Sequence, residues 1–116
     1  MSMSAKQIFY KVKKHLLRQG ERSVASGGSC LYRSDDGVMS CAVGCLMTDD
    51  MYSPDFEGKN VAELEDDVMT PIIGVRKGSR EYKLGLLGEL QEVHDNCGPY
   101  NWAHELDILQ DRYNIT

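Results

Sequence analysis

Apolar residues recur at Ala5, Ile8, Phe9, Val12 and Leu16, the three- and four-residue spacing of a single helical face. Ser4 and Gln7 stand where a capping box would satisfy free N–H groups, and Gly20 stands where a left-handed residue would stop the helix. The pattern predicts a first helix over residues 5–19. Lys11, Lys14 and Arg18 fall on another face of it, with Lys13 beside them.

The period then changes. Residues 21–28 read as a short loop, and two extended stretches, Ser29–Arg33 and Val38–Ser40, flank the run Ser34 to Gly37. Asp36 followed by Gly37 is a hairpin signal, because the turn requires a positive φ that glycine adopts at least cost. Two registers remain open. A four-residue loop over 34–37 sets Arg33 opposite Val38 and Cys30 opposite Cys41; a two-residue turn at Asp36-Gly37 sets Tyr32 opposite Cys41. Ser40 is then placed to cap a helix from Cys41, with Val43, Leu46 and Met47 as its apolar contacts. Gly44 weakens that helix but would permit close backbone approach.

Residues 49–58 read as an irregular connection around Pro54. Asn60 with Glu63 reads as a capping pair for a short helix through Met69, with Val61, Leu64 and Val68 inward and Thr70-Pro71 ending it. Ile72–Val75 reads as a short third strand that would join the hairpin. Ser79 caps a longer helix to about Asp95, with Tyr82, Leu86, Leu87, Leu90 and Val93 on its core face and Gly85 and Gly88 weakening it. The run Asn96 to Pro99 breaks it, and Asn101 caps a last helix bearing Trp102, Leu106, Leu109 and Tyr113. The expected fold is α+β: a small single domain with four to five helices around a β-hairpin or minimal antiparallel sheet.

Bulk properties narrow the function classes. With 116 residues and 41% apolar content the chain is one domain's worth with a modest core. It has no apolar run of membrane-spanning length, and its charged N-terminal stretch lacks a signal-peptide h-region, so the expectation is a soluble protein of the cytoplasm. In that compartment the four cysteines are reduced thiols, ordinarily packed as small hydrophobes. Residues 1–33 hold seven Lys/Arg against one Glu, whereas residues 34–116 hold six against seventeen Asp/Glu. The ordinary reading is that the basic first helix lies beside acidic helices and the charges compensate.

Cys30-Leu-Tyr-Arg33, Gly37, Cys41-Ala-Val-Gly-Cys-Leu46, Tyr52, Glu57-Gly58, Leu90-Gln-x-x-His-Asp95 and Trp102 form a series. It resembles a group of small phage- and prophage-encoded proteins, over about residues 8 to 113. The resemblance implies an accessory protein acting inside a bacterial host cell, of the kind that binds a host factor or blunts host defence, and it implies no particular activity.

Candidate chemistry sits in a few places. Cys41 and Cys45 share one side of a helix, and with His94 and Cys97, or Cys30, they supply ligand types that zinc takes in tetrahedral sets; the spacings are permissive and no compact pair anchors them. Alternatively, Cys41 at a helix N-terminus would be an activated thiolate with His94 as base and Asp95 as its orienter, although adjacent helical residues diverge by about 100°. A Cys30–Cys41 disulfide requires the four-residue register and an oxidising compartment. Arg33, Tyr32 and the Gly27-Gly28 loop are a candidate nucleotide site, and Tyr10 and Tyr32 beside the basic residues are a candidate nucleic-acid surface that the acidic remainder of the chain argues against. The acids from Glu63 to Asp67 raise DNA mimicry, but such a run is ordinarily a solvated face. No phosphate-binding loop, dinucleotide fingerprint, metalloprotease or hydrolase signature occurs.

The leading expectation is therefore a non-enzymatic binder of a host protein, without a cofactor. Two surfaces are named for it: a basic one of Lys11, Lys14 and Arg18 with Tyr32 and Arg33, and an acidic one of Asp49, Asp50, Glu63, Asp66 and Asp67.

Overall fold

The computed structural model describes residues 3–24, 31–34, 39–59, 63–64, 66–74 and 76–115, with Asp66, Asp67 and Lys77 described by backbone alone. The first helix, α1, runs over Ala5–Gln19. Ser4 Oγ accepts the Gln7 N–H at 3.1 Å, and Gln7 Oε1 accepts the Ser4 N–H at 2.8 Å, so the two residues satisfy each other's free backbone donors. Gly20 closes the helix at φ 70°, and its N–H bonds back to the Leu16 carbonyl. Ile8, Phe9, Val12 and Leu16 are fully buried, as the spacing predicts.

Three further helices follow: α2 over Asp66–Ile73, α3 over Lys77–Asn96 and α4 over Trp102–Arg112. Single turns of 3₁₀ helix stand at Gly44–Leu46, Pro54–Phe56 and Pro99–Asn101. α1, α3 and α4 pack against one another pairwise, α2 leans on α3, and the Gly44–Leu46 turn lies on α1. The core is the meeting of the α1 stripe with Leu86, Leu87 and Leu90 of α3, Trp102, Leu106 and Leu109 of α4, and the segment Cys41–Val43. Its radius of gyration is 13.3 Å, against roughly 13 Å for a folded chain of this length.

The α+β expectation is wrong. Among the described residues the chain has four α-helices and no sheet. All that remains of the hairpin there is one antiparallel bridge between Arg33 and Ser40. It is flanked by Ser34 N–H to Met39 O at 2.9 Å and Cys41 N–H to Tyr32 O at 3.1 Å. That is the two-residue register, with Tyr32 opposite Cys41, and it is not the register that sets Cys30 opposite Cys41. The Asp36-Gly37 turn, Cys30 and the Gly27-Gly28 loop lie outside the described residues. Beyond Cys41 the ladder does not continue because the next pair of groups finds other partners. Tyr32 N–H, which would meet Cys41 O, donates to the Glu57 carboxylate at 2.8 Å, and Cys41 O accepts the Cys45 N–H at 3.0 Å.

Three boundaries also move. Ser40 does not cap a helix: its hydroxyl and carbonyl meet His15 Nε2 at 3.0 and 2.9 Å, and Gln19 holds its N–H and carbonyl, each at 3.0 Å. The residues beyond it make a turn and a 3₁₀ helix. α2 passes through Pro71 to Ile73, so Ile72 and Ile73 of the expected third strand are helical, and Val75 lies outside the described residues. A proline there removes one intrahelical bond, but helical spacing buries Met69, Ile72 and Ile73 to 2% exposure or less, and that burial decides. Gly74 then ends α2 at φ 77°. α3 begins before Ser79, and Tyr82 faces outward at 45% exposure, its hydroxyl donating to Tyr113 O. The Asn60 cap lies outside the described residues.

Candidate interaction surface

Of the residues proposed for metal or thiol chemistry, Cys41 and His94 are buried in the fold, Cys45 and Cys97 are half-buried, and Cys30 lies outside the described residues. Cys41 is fully buried, and burial pushes its thiol up to about 12, against weaker opposing hydrogen bonds from the Gly44 and Val43 backbone. Burial likewise pushes Cys45 up to about 12; the Lys11 charge acts the other way and is outweighed. Cys97 is raised by desolvation and then by the neighbouring Glu105 carboxylate. None of the three is poised as a thiolate near neutral pH.

His94 is fully buried and stacked on Trp102 at 5.7 Å. A backbone N–H can only donate, so the 2.9 Å contact from Ser23 N makes Nε2 an acceptor and places the ring proton on Nδ1. Nδ1 then donates to Asp95 Oδ1 at 2.7 Å, and Asp95 also accepts Gln91 Nε2 at 2.8 Å. His94 and Asp95 therefore do touch, contrary to the helical-divergence argument. Both ring nitrogens are spent, one of them on backbone, which leaves His94 neither a free base nor a free metal ligand. Among the described residues no three His, Cys, Asp or Glu side chains converge as a metal set.

Tyr32 and Arg33 are also structural. Tyr32 is buried, its hydroxyl donates to Lys59 O at 2.6 Å, and its pKa is raised chiefly by burial. Arg33 donates to Asp49 Oδ1 at 2.7 Å and to Met47 O at 2.6 Å, with its guanidinium 5.1 Å from the Tyr52 ring centre. These contacts tie the 47–52 loop to the bridge and remove both residues from a nucleotide site or an open basic patch. Glu57 organises the same region: it accepts the Tyr32 N–H at 2.8 Å, the Arg33 N–H at 3.2 Å and the Tyr52 hydroxyl at 2.5 Å. The sequence gives Glu57 no role, because the two backbone N–H groups it accepts lie 24 and 25 positions away and no local pattern marks them.

The acidic surface is only partly on view. Asp49 is exposed but paired with Arg33, Asp50 and Glu63 are exposed, and the side chains of Asp66 and Asp67 lie outside the described residues.

The basic surface of α1 is different. Lys11, Lys14 and Arg18 are all exposed and succeed one another at three- and four-residue intervals. With His15 and Cys45 they line a groove of 330 Å³. A second groove of 250 Å³ shares His15 and Cys45 and continues to Arg33 and Asp49. The expected charge compensation is realised at Lys13, which lies 3.8 Å from Asp107 of α4. Lys11, Lys14 and Arg18 have no ion pair among the described residues. Among the described residues no helix is long and apolar enough to cross a membrane. No protein-family model, curated protein or solved structure matches the chain.

Proposed function

We propose that this chain is a non-enzymatic binding protein, an accessory factor of phage type that modulates a host protein inside the bacterial cell. The observation that carries the reading is the contrast between its reactive residues and its charged ones. Cys41 and His94 are spent on the interior and the half-buried Cys45 thiol is held protonated, while Lys11, Lys14 and Arg18 stand exposed beside a groove with no ion pair among the described residues. Three exposed cations on one helix of a chain with net charge −5, with no ion pair among the described residues, suit steering toward a negatively charged partner. The acidic remainder of the chain disfavours nucleic acid as that partner.

The test is capture from a bacterial lysate on immobilised protein, with mass spectrometry of proteins and small molecules alike. The expected result is one enriched host protein, retained at low ionic strength and released as salt shortens the Debye length to a few ångströms. Capture of a nucleotide or metabolite alone, or of nucleic acid alone, would overturn the reading.

A further inference from the structure

Two large apolar side chains interrupt the charged outer face of α1: Tyr10 is 37% exposed and Leu17 is 44% exposed. They stand seven residues apart with Lys14 between them, so the three lie along one side of the helix. Tyr10 is held in place. Its ring meets Phe9 edge-on with centroids 5.4 Å apart, and its hydroxyl accepts Gln110 Nε2 at 3.0 Å. Lys11 and Arg18 run along one flank of this stripe, and Lys13 on the other flank is closed by Asp107. The pattern is an apolar strip with a preordered aromatic and a cationic rim, the anatomy of a protein interface.

We infer that the outer face of α1, with Tyr10 and Leu17 as apolar anchors and Lys11, Lys14 and Arg18 as its charged edge, docks an acidic amphipathic helix of the partner protein. This rests on the binding function proposed above. Charge complementarity and spacing select the occupant. Lys11 to Arg18 spans about 10 Å of helix axis, and a facing helix repeats its carboxylates at the same three- and four-residue period. Such a helix also brings an apolar stripe to cover Tyr10 and Leu17. A nucleic acid would use the cations and leave Leu17 against phosphate.

The experiment is an NMR titration of the isotope-labelled protein with a synthetic amphipathic Glu/Leu helical peptide. A scrambled peptide of the same composition, a DNA duplex and phosphatidylglycerol vesicles are titrated in parallel. The expected shifts centre on Tyr10, Lys14 and Leu17. The scrambled peptide, the duplex and the vesicles bind at least about tenfold more weakly than the helical peptide, and Leu17→Ser weakens the peptide about tenfold, as loss of a central interface anchor does. Leu17 is exposed, so a melting curve matching the parent's accompanies the variant. Equal affinity for the scrambled peptide, duplex or vesicles, or no effect of Leu17→Ser, would overturn the inference. A host protein captured equally well by the Leu17→Ser variant would also overturn it while leaving the binding function intact.

Discussion

Gly44 shows how a single position constrains the segment around it. A Cβ built there would lie 1.9 Å from the Tyr32 carbonyl oxygen, so the backbone of the Gly44–Leu46 turn can rest on Tyr32 only without a side chain. Gly44→Ala is expected to cost about 3 kcal/mol in urea unfolding, because the obstacle is rigid backbone and not a side chain that can swing away. Cys41, three residues earlier, sets a pH limit. Its thiol is raised to about 12 in the fold and titrates near 9 when unfolded, so the native state keeps a proton that the unfolded state releases. Its contribution is complete below pH 9 and is lost as pH rises toward 12. By pH 10 the loss from Cys41 is on the order of 1 kcal/mol, and Cys41→Ala should flatten that part of the stability–pH curve. Iodoacetamide at neutral pH is expected to leave Cys41 unmodified in the native protein.

At the level of elements, the irregular stretch between α1 and α2 is fixed by side chains where a sheet was expected. Glu57 receives three donors, two of them backbone, so Glu57→Gln presents an amide donor to at least one of them. The expected loss is about 2 kcal/mol, with faster hydrogen exchange at the Tyr32 and Arg33 amides and an unchanged helical circular dichroism spectrum. What was legible in the sequence follows the range of the signal. α1 could be read to the residue because Ser4, Gln7 and Gly20 act on their immediate neighbours, and the exposure of Lys11, Lys14 and Arg18 followed from the same helical wheel. Gly44's close approach and the core stripe of α4 were readable for the same reason. The bonds of Ser40 to His15, Glu57 to Tyr32 and Ser23 to His94 join positions 25 to 71 residues apart, and no local pattern encodes them. Pro71 pointed to a helix end, and only the burial of Ile72 and Ile73 in the assembled core overrides it.

For the whole molecule, the segregation of charge is the property that matters. The interior absorbs Cys41 and the buried His94, α4 neutralises Lys13, and among the described residues Lys11, Lys14 and Arg18 are left exposed on one face of α1 without an ion pair. A protein that works through that face should be sensitive to its charges and insensitive to the buried Cys41. The most direct measurement is the retention of the captured host protein by K11E/K14E/R18E. Its control is E81K, which reverses an exposed charge on α3. All four positions are solvent-facing, and melting curves confirm that each variant folds. Retention by the triple variant is predicted to fall at least about tenfold, the effect of placing like charges across an electrostatically steered contact, while E81K retains the partner as the parent does. Undiminished retention by K11E/K14E/R18E would contradict the account.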